Sequence, residues 1–175
     1  MEAFCYAINM QPNLIIIRGN SGSGKSTIAK ELRKQMGENT MLVQQDVLRL
    51  GILNVKDRTD NPAIELIANT VLYGKKIGYD VVLEGIFKKA TYDKMINQLV
   101  KAFDGNVFAY YLDISFDETV RRHNTKPENN EFGIEKLQEW WLENDMLGLE
   151  NERIFNETES QDEMVNDILK DIKYI

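Results

Sequence analysis

One short segment near the start of the chain has the residue types and spacing needed to bind phosphate groups. It consists of Gly19, Asn20, Ser21, Gly22, Ser23, Gly24, Lys25, Ser26 and Thr27. Glycines at these positions let the backbone turn its N–H groups toward phosphate, and the lysine beside them reaches the β- and γ-phosphates. The hydroxyl of Ser26 is the expected ligand of Mg²⁺. The segment therefore predicts a site for ATP or GTP with Mg²⁺, in which Lys25 is catalytic.

A second candidate group follows the apolar stretch 41–43. Asp46 and Arg49 are three residues apart, so their side chains share a face if a helix begins here. The carboxylate could orient or deprotonate a hydroxyl acceptor, and the arginine could bind an anionic part of that acceptor. The alternative is an aspartate that favours a helix N-terminus beside a solvated arginine. The preceding Gln44 and Gln45 could face either substrate or solvent.

A third candidate is Glu84, which ends the apolar run 81–83 and precedes Gly85. A carboxylate in this position can reach Mg²⁺ through water and face the substrate, and the glycine lets a ligand approach the backbone. The alternative is a charged side chain that leaves the sheet for solvent. Asp113, at the end of a later apolar run, is explained equally well as a turn residue.

Positive charge is concentrated in the segment 117–126, which contains Arg121, Arg122, His123 and Lys126. Phosphoryl transfer needs a cation near the γ-phosphate, and a segment that closes over the nucleotide commonly supplies it. We therefore predict a lid within 116–150; the alternative is a solvated helix face. Trp140 and Trp141 are expected to pack in the core or lid, although one could stack on an acceptor ring.

Apolar strands alternate with amphipathic helices along the whole chain, which predicts a parallel sheet with helices on both faces and ligands at the carboxyl ends of the strands. Strands are predicted at 13–18, 41–43, 81–83, 107–112 and 154–155. The first helix is predicted to carry Ile28, Leu32 and Met36 and to end at Gly37. Further helices are predicted from about 61–62 to between 74 and 78, around 92–103, and in two pieces within 116–150. The last helix is predicted to be capped near Thr158 or Ser160 and to carry the apolar residues of 164–172.

Length and composition favour a single domain over residues 1–175. A hydrophobic share of 43% and a charged share of 28% are ordinary for a globular protein. The net charge of −7 disfavours a long nucleic-acid partner. One cysteine, no signal-like start and no membrane-spanning run predict a protein of the cytoplasm.

These motifs together resemble the family of small P-loop kinases that includes polynucleotide kinase, chloramphenicol phosphotransferase and the zeta-toxin kinases. The resemblance covers most of the chain and depends on four motifs: the phosphate-binding segment, the Asp46 and Arg49 pair, Leu83-Glu84-Gly85, and the run from Arg121 to Pro127. It implies a three-layer α/β/α sandwich around a parallel five-stranded sheet, of the nucleoside monophosphate kinase-like type, with a helical lid.

The resemblance also implies roles for individual residues. In that family the aspartate of such a pair activates the acceptor hydroxyl and the arginine binds the acceptor, which implies these roles for Asp46 and Arg49. Lid arginines contact the nucleotide and its phosphates, which implies that role for Arg121 and Arg122. Lys126 stands where another lid arginine is expected, and a lysine cannot make the same forked hydrogen bonds.

The sequence therefore predicts a Mg²⁺-dependent kinase that moves the γ-phosphate of ATP or GTP to a hydroxyl of a small molecule, such as a nucleoside, a sugar nucleotide or an antibiotic. We expect it to act away from membranes, as a monomer or a homodimer. One alternative is an ATPase or GTPase switch that binds a protein partner, with Asp46 or Glu84 positioning water. Another is a kinase for the 5′-hydroxyl ends of nucleic acids.

Overall fold

The computed structural model describes residues 11–125 and 133–174, which form a parallel five-stranded sheet in the order β2-β3-β1-β4-β5. All neighbouring strands are parallel. The strands are β1 (Leu14–Gly19), β2 (Thr40–Gln44), β3 (Asp80–Gly85), β4 (Val107–Asp113) and β5 (Glu152–Asn156). Because the strands are parallel, all their carboxyl ends meet at one edge of the sheet.

Helices cover both faces of this sheet. They are α1 (Lys25–Met36), α2 (Ala63–Lys76), α3 (Lys89–Ala102), α4 (Phe116–Asn124), α5 (Ile134–Glu139) and α6 (Gln161–Asp171). Alternate residues of β1 enter two separate cores, so that Leu14 and Ile16 pack with α2 and α3. Ile15 and Ile17 pack with α1 and α6 on the other face. The three-layer sandwich predicted from the sequence is confirmed.

Two local details sharpen the sequence prediction. A short π-helix, Val47–Ile52, lies between β2 and α2. The sequence allowed for a helix near Asp46 but did not predict its type. The last helix, α6, is capped by Ser160 and not by Thr158. The Ser160 hydroxyl accepts from the N–H of Glu163, and the Glu163 carboxylate accepts from the N–H of Ser160.

The segment 116–150 contains the two predicted helices, α4 and α5, followed by an irregular stretch that leads to β5. Lys126 and Pro127 lie outside the described residues. Over 11–125 and 133–174, no helix has the length and apolar character required to cross a bilayer.

Candidate active site

The phosphate-binding segment forms the turn between β1 and α1, at the carboxyl edge of the sheet. Gly24 has a φ of 101°, a left-handed conformation that favours glycine, and it directly precedes the first residue of α1. Lys25 is buried, and its Nζ donates to the carbonyl oxygen of Asn20 at 3.3 Å. The turn, the N-terminus of α1 and the lysine therefore meet at one point, which favours binding of an anion there.

Ser26 and Glu84 form a hydrogen-bonded pair across the top of the sheet. The Ser26 hydroxyl donates to Glu84 Oε1 at 2.9 Å, and the Gln44 amide donates to Glu84 Oε2 at 2.9 Å. Lys25 Nζ is 4.0 Å from the same Oε1, and Glu84 is buried. The pairing follows from the register, which places Gln44 opposite Glu84. The alternative, a Glu84 side chain that leaves the sheet for solvent, does not hold.

This pair has the chemistry of a Mg²⁺ site. Mg²⁺ prefers oxygen ligands and commonly takes one or two protein groups together with substrate phosphates and water. The hydroxyl of Ser26 and the carboxylate of Glu84 are such groups, next to a phosphate-binding turn. Among the described residues no cluster of three or more His, Cys, Asp and Glu side chains is present, so phosphate oxygens would have to complete the coordination.

Two side chains of the turn have different environments. Ser23 Oγ is buried and has no hydrogen-bond partner among the residues that the structure describes, so it is available to a ligand. Asn20 instead uses its side chain within the protein: Nδ2 donates to the carbonyl oxygen of Leu142 at 2.8 Å, and Oδ1 accepts from its N–H at 3.0 Å. The side chain of Asn20 is therefore occupied by Leu142, and it is the backbone of Asn20 that could face a phosphate. Thr27 is exposed on α1.

Asp46 and Arg49 contact each other directly. Arg49 Nη2 donates to Asp46 Oδ1 at 2.8 Å, and Arg49 Nη1 donates to the carbonyl oxygen of Val55 at 3.1 Å. The Asp46 side chain is 63% exposed, whereas that of Arg49 is 14% exposed. Within the described chain, Arg49 Nε has no hydrogen-bond partner. The shared helical face is confirmed, and two of the arginine's five N–H donors already bind Asp46 and the following loop.

Gln45 has a structural role that the sequence did not reveal. It is buried, and its Oε1 accepts from the N–H groups of Ile86 and Phe87 at 2.8 and 3.2 Å. It therefore faces neither substrate nor solvent. Because these bonds fix the turn after Glu84, Gln45 links the end of β2 to the end of β3.

Arg121 and Arg122 lie in different environments. Arg122 Nη1 donates to the carbonyl oxygen of Ser23 at 2.8 Å, and its side chain is 22% exposed. Arg121 points away, is 67% exposed and donates twice to Glu118, at 2.6 and 2.8 Å. Arg122 also donates to Glu118, at 2.7 Å. These donors lower the pKa of Glu118 to about 2. Of these two arginines, Arg122 is the one that contacts the phosphate-binding turn.

Helix α4 lies directly on that turn. A Cβ built on Gly22 would stand 3.2 Å from the carbonyl oxygen of Thr119, which is buried in α4. A side chain at Gly22 would therefore push the helix away. At the start of α4, Phe116 packs edge to face against Trp141 at 5.1 Å, which agrees with the packing interpretation of that tryptophan. Trp140 is partly exposed.

Sequence reasoning missed Arg18, the residue before the turn. Arg18 is fully buried in β1 and pairs with Asp145 at 2.9 Å and Glu152 at 3.4 Å. A charged residue within an apolar strand was the available signal, because a fully buried arginine requires partners.

Comparison with protein families agrees with this geometry. A family model described as an AAA domain matches residues 14–141, which span the chain from β1 to Trp141, and the chain belongs to this family. The matched range contains the phosphate-binding turn, Asp46, Glu84 and Arg122. A search of curated proteins found no match.

Several solved structures with the same fold are named as kinases. A gluconokinase from Sinorhizobium meliloti has 18% identity and a TM-score of 0.69, covering 94% of this chain and 93% of its own. An APS kinase from Mycobacterium tuberculosis, in complex with AMPPNP and APS, has 16% identity, a TM-score of 0.68 and coverage of 94% and 99%. A sugar kinase from Janibacter has 16% identity, a TM-score of 0.62 and coverage of 91% and 93%. At these identities the likeness shows a P-loop kinase fold.

Proposed function

We propose that this member of the AAA domain family is a kinase that moves the γ-phosphate of ATP or GTP to a hydroxyl group of a small molecule. The observation that carries the proposal is the Ser26–Glu84 bond beside Lys25, within the phosphate-binding turn, at the same sheet edge as Asp46. A phosphate site and a separate exposed carboxylate are the two components that phosphoryl transfer to an acceptor requires.

The nucleotide phosphates would bind the turn between β1 and α1. Lys25, the buried Ser23 hydroxyl and the backbone N–H groups at the start of α1 would hold them, and Ser26 and Glu84 would hold Mg²⁺. When bound, Mg²⁺ neutralises charge on the phosphate oxygens. Lys25 lies 4.0 Å from Glu84, so the phosphates would share one site with the ion.

Asp46 would act on the acceptor. Its exposed carboxylate would accept the hydroxyl proton as the acceptor oxygen bonds to the γ-phosphorus and the bond to the bridging oxygen of the nucleoside diphosphate breaks. Arg49 orients that carboxylate through the 2.8 Å contact and keeps Nε for an anionic acceptor group. Arg122, held at the Ser23 carbonyl, is the candidate cation for the charge that develops on the phosphoryl group.

The small-molecule acceptor is supported by two observations. The fold neighbours named above are a gluconokinase, an APS kinase and a sugar kinase. The net charge of −7 disfavours tracking along a nucleic-acid backbone. The neighbours differ from this chain at more than four positions in five, so the proposal extends to the class of acceptor and not to any one of their substrates.

Stimulation of nucleotide turnover by acceptors tests this proposal. ADP or GDP formation with Mg²⁺ would be measured across a panel of sugars, sugar nucleotides, nucleosides, hydroxylated antibiotics and a 5′-hydroxyl oligonucleotide. We expect one small-molecule class to raise turnover by at least about tenfold, because the acceptor supplies the attacking oxygen. Turnover that no compound changes would favour the switch, and stimulation by the oligonucleotide alone would favour the nucleic-acid kinase.

A further inference from the structure

Arg18 is a buried charge that the proposed reaction does not use. It belongs to β1, directly before the phosphate-binding turn, and none of its surface is exposed. Burial lowers the pKa of Arg18, and the nearby carboxylates of Asp145 and Glu152 oppose that shift. Burying an arginine is unfavourable unless its partners are well placed. The contacts of Arg18 therefore indicate which parts of the chain the buried side chain holds together.

Those contacts join three separate parts of the chain. Arg18 Nη2 donates to Asp145 Oδ2 at 2.9 Å and to the carbonyl oxygen of Phe87 at 2.8 Å. Arg18 Nη1 lies 3.4 Å from Glu152 Oε1. The guanidinium also lies over the ring of Tyr111, 5.6 Å from its centre. One side chain thus holds the end of β1, the turn after β3 and the stretch before β5.

Asp145 has a second partner at the start of a helix. Its carboxylate accepts from the N–H of Lys89, the first residue of α3, at 3.0 and 3.3 Å. The same carboxylate therefore caps α3 from a distant part of the chain and pairs with Arg18. Glu152 likewise accepts from the N–H groups of Leu147 and Gly148, at 3.1 and 2.8 Å. Residues 141–148, which we call the clasp segment, are fixed at several points.

A further contact joins the clasp segment to the phosphate-binding turn. The Asn20 side chain makes two hydrogen bonds to the backbone of Leu142. Arg18 and Asn20 are two residues apart and bind Asp145 and Leu142, which are three apart. The turn that would hold the phosphates and the clasp segment are therefore attached to each other at two neighbouring points.

The turn after β3 carries backbone strain. Phe87 has a φ of 43°, which is unfavourable for a bulky residue. It is held there by the Arg18 bond to its carbonyl oxygen, by the Gln45 bond to its N–H, and by edge-to-face packing on Tyr92 at 5.3 Å. Such strain persists only where surrounding contacts impose it. Phe87 lies three residues after Glu84, so the shape of this turn affects the site that would hold Mg²⁺.

We propose that Arg18 is a positioning residue for phosphoryl transfer: it holds the clasp segment and the strained Phe87 turn against the end of β1, so that this side of the active site is formed before nucleotide binds. The catalytic part of this proposal rests on the proposed kinase function. The positioning part does not, because it concerns the order of the clasp segment in the absence of any ligand.

Two mild variants test it without removing the buried charge. Arg18→Lys keeps the charge but cannot donate to Asp145 and Phe87 in the same forked geometry. Asp145→Asn keeps the size of the side chain and weakens both the ion pair and the cap. Arg153→Lys is the matched control, because Arg153 also lies in a strand, pairs with Asp167 and Asp171, and stacks on a ring, that of Phe155.

Amide exchange without nucleotide would be measured first, together with the thermal midpoint. We expect residues 86–89 and the clasp segment, 141–148, to exchange at least about tenfold faster in Arg18→Lys and Asp145→Asn than in the wild type, because their anchors are weakened. The control should exchange like the wild type in both regions. Wild-type exchange in both variants overturns the proposal.

Steady-state kinetics then separate positioning from simple stabilisation. We expect kcat to fall by at least about tenfold while the KM for nucleotide changes by less than about threefold, because the phosphate-binding groups themselves are unchanged. Faster exchange with an unchanged kcat overturns the catalytic part. Failure of the proposed function itself would appear differently, as absence of acceptor-dependent turnover in the wild type, while the exchange experiment still decides whether Arg18 holds the clasp segment.

Discussion

The phosphate-binding turn and helix α4 both contribute to the candidate site, but they are held in different ways. Beside the turn, Ser26 belongs to α1 and Glu84 belongs to β3, and the packing of α1 on the sheet brings the two side chains together. In α4, Arg121 and Arg122 both bind Glu118 of the same helix, three and four residues away. The geometry of the turn is imposed by the fold, whereas the arginines are held largely by a local and partly exposed contact.

From this difference we expect the groups at the turn and the arginines of α4 to contribute to catalysis in two different ways. Groups fixed by the sheet are already in place and need no rearrangement, which is the condition for efficient electrostatic stabilisation. Groups held by a partly exposed carboxylate of their own helix can exchange that partner for a phosphate at small cost, because ion pairs that solvent reaches contribute little. We therefore expect substitutions in the turn to have larger effects than substitutions in α4.

The largest effect is expected for Lys25→Ala. Its ammonium group lies 4.0 Å from Glu84 beside the turn. We expect nucleotide turnover to fall by about a thousandfold or more, because this cation would bind the β- and γ-phosphates as charge moves between them. The thermal midpoint, measured alongside, should show that the protein is still folded. Lys30→Ala, an exposed lysine of the same helix, is the control and should behave like the wild type. Near-normal turnover in Lys25→Ala would contradict the proposal that this turn binds the nucleotide phosphates.

The next largest effect is expected for Asp46→Asn. The amide keeps the size of the side chain but cannot take a proton, so transfer to an acceptor should fall by about a hundredfold or more. Nucleotide affinity, measured by calorimetry, should stay within about threefold, because Asp46 contacts Arg49 rather than the turn. Equal losses in affinity and transfer would place Asp46 in the Mg²⁺ site, and an unchanged transfer rate would leave it as a helix-start residue.

A smaller and more selective effect is expected in α4. Arg122→Ala should lower turnover by about tenfold to a hundredfold with less effect on nucleotide affinity, because a cation aimed at developing charge acts in the transition state. Arg121→Ala is the matched control, since it is exposed and has no contact with the turn in this structure. Kinetics of the two single variants and the double variant test this. Equal losses in both single variants would contradict the assignment of Arg122.

The smallest effect is expected for Glu118→Gln. The pKa of Glu118 is lowered to about 2 by hydrogen bonds from Arg121 and Arg122. A lowered pKa means that the contribution of Glu118 to stability is present above its ordinary pKa and is lost only as the pH falls toward about 2. Glu118→Gln should change nucleotide affinity by less than about threefold, and equally at about pH 6 and pH 8, as titrations at both values would show. A change of more than about threefold at either pH would contradict the small contribution expected of this ion pair.

The contrast between the two regions also explains what the sequence could predict. The turn depends on glycines, a lysine and a serine that are close together in the chain, so their spacing alone predicted a phosphate site. Asp46 and Glu84 were found because each follows an apolar strand, and the ends of parallel strands meet at one edge. The five-stranded sheet and its covering helices followed from the same alternation of elements, and this prediction is confirmed.

Contacts between distant residues could not be predicted in this way. Arg18 and Asp145 are 127 residues apart, and no spacing rule relates them. The burial of Gln45 depends on the strained turn at Phe87, which the sequence does not indicate. Which of Arg121 and Arg122 faces the turn depends on how α4 is oriented about its own axis. That orientation follows from the packing of Thr119 against the turn at Gly22, which the sequence does not show.

The destination of the γ-phosphate is the most direct test of the proposed kinase function. The protein would be incubated with γ-labelled ATP, Mg²⁺ and the best acceptor from the panel, and the label would be followed into the acceptor and into inorganic phosphate. We expect most of the label on the acceptor hydroxyl, and neither product with Lys25→Ala. Label released only as inorganic phosphate, at a rate that no acceptor changes, would contradict the kinase and would instead identify a nucleotide hydrolase.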